Sequence, residues 1–324
     1  TNEEEETTAL IIAIENKSMN IVNLLLKYNK IDINYPKTIR KYDQILVQKT
    51  ALFIAVEQED IEIVKLLLSN ENCDINFLNY DCSKRLKNTA LHMAVEKENY
   101  EIVNILIRNK NIDVNIRDFD DYKETTEIEK PVLYHAVREE NDKIVKLLLE
   151  CPNIDVNLTA VLSYYDDYGE KGCKEELLPL NLAIRLENIE IIKLLLSNPK
   201  IDVNKPIINS KLGYGREETI YQIKTPLVQA IETSNMEIIR LLLLNDKLDL
   251  NVVNIFTAYS IFIDKQMITL GDNVSFCYNL LGEKVTAFHI VMKIHNFELA
   301  KIFLNNKKVD INTRYQSAGS AYLK

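Results

Sequence analysis

Apolar and polar residues follow one another along this chain in a pattern that recurs seven times. Aligning the chain on TALFIAV, TALHMAV, TPLVQAI and TAFHIVM isolates blocks 8–34, 50–76, 89–115, 131–157, 178–204, 225–251 and 286–312, each 27 residues long. Every block has an apolar segment, a polar joint, a second apolar segment such as IVKLLL, and an Asp-x-Asn ending. The first segment, Thr50 to Gln58 for example, opens on a hydroxyl able to cap a helix, and its central Ala55 lets a neighbouring helix approach closely. The second, Ile61 to Leu68, is apolar at Ile61, Ile63, Val64, Leu66, Leu67 and Leu68. That stripe is too wide for a surface helix and suits packing between two neighbours. Each block therefore predicts a helix pair, and tandem copies predict a solenoid in which each pair buries its apolar faces on the next.

Tetrapeptides of the T-P-L-H type, the I-V-x-L-L-L helix and the D-V-N ending together resemble the ankyrin repeat consensus, and the resemblance covers all seven blocks. It implies an all-α class: an α-solenoid of stacked antiparallel helix pairs, with β-hairpin fingers along one edge, as a single domain over residues 1–324. Only Thr225-Pro226-Leu227 keeps the family's proline after threonine, and only His92 and His289 occupy its histidine position. The family's glycine between the two helices is replaced by Lys17, Glu59, Glu98, Glu140, Glu187, Ser234 and His295. The next position is Ser18, Asp60, Asn99, Asn141, Asn188, Asn235 or Asn296. Asp and Asn tolerate the left-handed backbone better than other non-glycine residues, so they are expected to turn the chain here.

The connections 35–49, 77–88, 116–130, 158–177, 205–224 and 252–285 all exceed the roughly six residues that a period of about 33 leaves. Residues 313–324 begin a further finger or a tail. The connections carry many aromatic residues, which disordered linkers lack and interfaces favour, so extended hairpins are expected. The last, Val252 to Val285, is the most apolar and is expected to form a two-stranded unit or a small helix docked on the stack. Tyr35 to Lys49 is basic, with Lys37, Arg40, Lys41 and Lys49, whereas Ile116 to Lys130 is acidic. Such alternation suits charge matching along a partner as well as plain solvation.

The family resemblance places binding on finger tips and on the end of each first helix: Glu15, Asn16, Glu57, Gln58, Glu96, Lys97, Arg138, Glu139, Arg185, Leu186, Glu232, Thr233, Lys293 and Ile294. Aromatic and Arg anchors within a polar rim are the usual centre of an interface. The expected contact zone is therefore Arg138, Glu139, Arg185 and Leu186, flanked by Tyr164, Tyr165, Tyr168, Tyr214 and Tyr221. The Asp-x-Asn pairs, among them Asp113 and Asn115, Asp155 and Asn157, and Asp202 and Asn204, are read as hydrogen bonders that stabilise the hairpins. Equivalent positions in stacked helix pairs lie roughly 8 to 10 Å apart, too far to share an ion whose ligands sit within about 2.6 Å.

Composition narrows the chemistry. A net charge of -9 disfavours a phosphate-backbone binder, so nucleic acid is not expected as a partner. No run of 18 apolar residues occurs, and membrane insertion is not expected. Cys73, Cys82, Cys151, Cys173 and Cys277 form no C-x-x-C pair, which points to a reducing cytoplasmic setting; an exported effector is the other setting kept. His92, His135, His289 and His295 are scattered without ligand spacing, and neither a metal, a cofactor nor a catalytic motif is expected. The expected function is a monomeric, non-enzymatic scaffold that binds protein partners. The first block starts at Thr8 with no finger before it, which keeps a second reading open: a regulatory or targeting segment of a larger enzyme or channel.

Overall fold

A computed structural model describes residues 3–28, 30–121, 126–165, 171–212, 218–256 and 283–314, and fourteen helices lie among them. Contacts divide the chain into two compact units, Thr1–Leu162 and Ser163–Lys324. The first unit holds four helix pairs: α1 (Ala9–Glu15) with α2 (Met19–Leu26), α3 (Ala51–Glu57) with α4 (Ile61–Leu68), α5 (Ala90–Glu96) with α6 (Tyr100–Ile107), and α7 (Val132–Arg138) with α8 (Asp142–Leu149). The second holds α9 (Pro179–Arg185) with α10 (Ile189–Ser197), α11 (Pro226–Thr233) with α12 (Met236–Leu243), and α13 (Ala287–Lys293) with α14 (Phe297–Leu304). Within the first unit, first helices pack on first helices and second on second, in chain order.

The amino-acid pattern explains the layering. The first helices α3 and α5 of the first unit and α11 of the second lie between neighbours on both sides, and in α3 every residue from Ala51 to Val56 is buried. Second helices bury one stripe, Ile63, Val64 and Leu67 in α4, while Ile61, Leu66 and Leu68 are half-buried. Each fully buried aliphatic side chain contributes about 1.5–3 kcal/mol. Threonines open the first helices as expected: the Thr8, Thr50 and Thr89 hydroxyls accept from the N–H of Ile11, Phe53 and His92 at 3.2, 3.3 and 3.4 Å. Leu178, which precedes α9, has no side-chain cap. At the histidine position of that block, Asn181 is buried with neither amide atom hydrogen-bonded.

The joint between the helices differs from the expectation. The left-handed residues are Lys17, Glu59, Glu98, Glu140, Glu187, Ser234 and His295, with φ of 52–58°, and not the Asp or Asn that follows. The Asp60 N–H donates to Ala55 O at 3.0 Å and the Glu59 N–H to Val56 O at 3.0 Å, a helix-ending motif that requires positive φ at its penultimate position. Asp60 is unavailable for that task because it begins the next helix, its carboxylate accepting from the Ile63 N–H at 3.0 Å. The preceding residue therefore takes the strain. Its carboxylate also gains a partner: Asn99 donates to Glu59 at 2.9 Å, Asn141 to Glu98 at 3.1 Å and Asn235 to Glu187 at 2.9 Å.

The Asp-x-Asn endings split their labour. Asp74 accepts from the Asn76 N–H at 3.0 Å, and Asp113, Asp155 and Asp202 do the same for Asn115, Asn157 and Asn204 at 2.9 Å. The asparagine reaches the next block. Asn76 donates to Asn111 O at 2.7 Å and accepts from the Asp113 N–H at 2.9 Å, and Asn115 repeats this on Asn153 O and the Asp155 N–H at 2.8 Å each. In the second unit Asn204 and Asn251 bond the same two backbone groups of the following block. The aspartate thus acts locally, whereas the asparagine's expected role within a hairpin is corrected to one between blocks.

The fingers are strands, which corrects the all-α class. The first unit has an antiparallel series β1 (Glu3–Glu6), β2 (Lys37–Lys41), β3 (Gln44–Lys49), β4 (Asn79–Asp81), β5 (Leu86–Asn88), β6 (Arg117–Asp121) and β7 (Thr126–Pro131). β8 (Ala160–Tyr165) contains the boundary between units. In the second unit β9 (Lys171–Leu177), β10 (Ile207–Leu212), β11 (Glu218–Lys224), β12 (Asn254–Phe256) and β13 (Glu283–Val285) pair antiparallel in order. Fingers pair with one another as well as within themselves because each is longer than a turn. For the last finger, β12 and β13 form the expected strand pair, and residues 257–282 lie outside the described residues. The first block does have a finger strand before it, since β1 pairs with β2. Lys37, Arg40 and Lys41 meet Glu5, Glu6 and Glu3 at 3.0, 2.9 and 3.5 Å, so the basic finger is largely neutralised within the chain.

Glycine at the joint tests the strain directly. Ser234→Gly is expected to raise stability by about 1 kcal/mol by removing a left-handed side-chain penalty, whereas Glu59→Gly gains less because it forfeits the bond from Asn99. Denaturant titration of the two variants gives the comparison; equal gains would show that the Glu59 bond contributes nothing.

Candidate functional site

The surface beside the first-helix ends is built by a lysine that reaches over its own helix. Lys49, just before the cap Thr50, meets Glu57 at 3.0 Å and Asp81 at 3.5 Å. Lys224 stands in the same relation to Glu232 at 2.8 Å in the second unit, and Lys37 meets Glu15 at 2.8 Å. Burial pushes the Glu232 carboxyl up from its ordinary value, against the pull of Lys224. The bond to Glu15 raises the Lys37 amine. Glu15, Glu57 and Glu232 are thus ion-paired within the chain.

Of the predicted contact zone, Arg138 and Glu139 come together: the guanidinium donates from Nε and Nη2 to one Glu139 oxygen at 2.8 and 2.6 Å. They lie at the end of α7 in the first unit, both exposed. Arg185, exposed, and Leu186, half-buried, end α9 in the second unit. Tyr164 and Tyr165 belong to β8 and Tyr221 to β11, with side chains outside the description, and Tyr168 and Tyr214 lie outside the described residues. Four further aromatic finger residues lie in the first unit. Tyr42 is 78% exposed at the β2–β3 tip, where Tyr42 and Asp43 both have positive φ, and Tyr35 is 45% exposed. Tyr80 and Phe119 are half-buried about the Lys87 amine, 5.7 and 6.0 Å from their ring centres. Some rings therefore brace the fingers, and others face solvent.

One cluster escaped the sequence reading. His92 of α5 and His135 of α7, expected to be scattered, meet edge to face at 5.6 Å, and Asp118 of β6 joins them. All three are buried. The signal was available in the spacing: His92 and His135 stand in consecutive first helices, which stack. The Lys130 backbone is the hub. Its N–H donates to Asp118 Oδ1 at 3.0 Å, and its carbonyl accepts from His92 Nε2 at 3.3 Å. Asp118 Oδ2 accepts from His135 Nε2 at 2.7 Å, and His92 Nδ1 lies 2.8 Å from the Thr89 hydroxyl. Burial lowers the His92 imidazole to about 4. The Asp118 carboxyl is held below its ordinary value by His135, His92 and Lys130, which together outweigh its burial.

The family model described as ankyrin repeats (3 copies) matches residues 1–79, 35–118 and 77–160. No curated protein matches the chain. Among solved structures, the chain is similar to the crystal structure of the ankyrin repeat domain of Bcl-3, a unique member of the IkappaB protein family. Identity is 20%, coverage is 61% of this chain and 72% of that one, and the TM-score is 0.41.

The cluster makes stability depend on acidity. Folding lowers the His92 pKa from 6.5 to about 4, so the unfolded chain takes up its proton first as pH falls. The contribution is complete above 6.5, is lost between 6.5 and 4, and is flat below that. At about 1.4 kcal/mol per pH unit the loss is roughly 3 kcal/mol. His92→Gln should remove that limb from a plot of melting temperature against pH; an unchanged limb would assign it to other groups.

Proposed function

We propose that the chain, whose residues 1–160 match the model of ankyrin repeats, a family whose repeats generally serve as protein-protein interaction modules, is a non-enzymatic scaffold for protein partners that engages them through its fingers and first-helix ends. The observation that carries this reading is the finger series of the first unit, in which long hairpins are held as paired strands while Tyr42 projects into solvent and the half-exposed ring of Tyr35 rests its hydroxyl on Glu6 at 3.4 Å. Tyr42 in the tight β2–β3 turn and Tyr35 just before β2 adjoin ordered strands, and a rigid ring so placed loses little entropy when a partner covers it, which favours binding. Self-neutralisation of Glu15, Glu57, Arg138 and Glu139 leaves a rim of paired charges around such contacts. Rims of that kind tune specificity and rate more than affinity. We place Arg185 and Leu186 of the second unit in the same role for that unit. The net charge of -9 supports a protein in preference to a nucleic acid as partner. No helix among the described residues is long and apolar enough to cross a membrane. A reducing compartment fits the free thiols Cys73 and Cys151, which burial pushes up to about 12 and about 11 and so keeps unreactive.

The test is affinity capture from the source cells with the chain as bait, followed by titration of the captured protein. Tyr35→Ser together with Tyr42→Ser should weaken binding at least about tenfold, the scale of a lost interface anchor, with the melting temperature unchanged. Unaltered affinity in that variant would remove the first-unit fingers from the binding surface.

A further inference from the structure

The interaction reading leaves the His92, Asp118 and His135 cluster without a task. We propose that these three residues bind one divalent ion of the zinc type, which fastens the third finger to two consecutive first helices. Two imidazoles and one carboxylate are a donor set that zinc accepts, with a fourth position left to water. One donor atom from each residue lies within 4.8 Å of the others, and all three residues belong to the first unit.

The atoms that would face away from the ion are already tethered. Asp118 Oδ1 is held by the Lys130 N–H, which leaves Oδ2 toward the imidazoles, and His92 Nδ1 is held by the Thr89 hydroxyl, which leaves Nε2 inward. Outer contacts of this kind orient ligands in metal sites. Two helices and a strand supply the three residues, so none rests on a finger tip.

Binding shifts the hydrogens of both rings. The hydrogens that His135 Nε2 donates to Asp118 Oδ2 at 2.7 Å and His92 Nε2 donates to Lys130 O at 3.3 Å move by way of solvent to the Nδ1 of each ring, which frees both Nε2 lone pairs; His92 Nδ1 then donates to the Thr89 hydroxyl and gives up the 3.4 Å contact from the Thr89 N–H. Three donors at zinc distance lie about 3.3 Å from one another, so side-chain shifts of about 1.5 Å complete the site. The Lys130 ammonium opposes the ion, and its 3.6 Å contact with Asp120 draws part of that charge aside. His289 is the internal control: it makes the same threonine contact, to Thr286 at 2.8 Å, and its Nε2 contacts Thr313 O at 2.9 Å, outside any cluster of three metal-binding side chains among the described residues.

Chain stripped with a chelator and titrated with Co²⁺ should develop the visible absorption of a four-coordinate site at one ion per chain, and equimolar Zn²⁺ should abolish that absorption and raise the melting temperature. Asp118→Asn and His135→Ala should each lose both responses, while His289→Ala keeps them. Lys130→Met should bind several-fold more tightly. If His135→Ala fails to fold, Asp118→Asn, which keeps the shape of the side chain, decides. Absence of both responses in the folded wild-type chain overturns the proposal and leaves the cluster a hydrogen-bonded clamp. Responses retained in Asp118→Asn overturn it too, by locating the ion elsewhere.

Discussion

Within each unit, a side-chain amide links one helix pair to the next. Asn34, Asn76, Asn115, Asn204 and Asn251 each donate to a carbonyl and accept from an N–H of the following block, at 2.7–2.9 Å. A carboxylate could only accept and a hydroxyl would not span both groups, which is why asparagine stands there. The stacking of first helix on first helix follows: it needs small central residues such as Ala55 and Ala94, and these are fully buried. The fingers then have a fixed spacing in which to pair.

A second asparagine works on the other side of the stack. At Asn99, Asn141 and Asn235 the side-chain oxygen caps the second helix while the amide nitrogen reaches a glutamate of the preceding block. That glutamate sits in the left-handed conformation where glycine would be free of strain. A local cost is thus offset by a contact between neighbours. Solenoids depend on such nearest-neighbour terms because no residue is close to a distant one.

Much of this was legible in the sequence. That the chain is built of helix pairs, and that Thr8, Thr50 and Thr89 cap first helices, could be read from period and residue type, since both helices depend on apolar spacing within a few turns. The left-handed joint was misplaced because two requirements fall on adjacent residues, and only the geometry shows that Asp60 is committed to capping. Strand pairing between fingers depends on register across blocks, which spacing does not encode. The His92, Asp118 and His135 cluster combines a finger with two helices. Those are non-local facts, and a periodic reading averages them away.

The account rests on contacts between blocks as the source of order, and hence of a surface rigid enough to bind. Hydrogen exchange at the Asp113 amide tests this most directly, because that N–H donates to the Asn76 side chain at 2.9 Å. In Asn76→Ala the Asp113 amide should exchange at least tenfold faster, with amides of the next block following, and stability should fall by about 1 kcal/mol. Unchanged exchange at Asp113 together with unchanged stability would contradict the account and place the order of the stack in apolar burial alone.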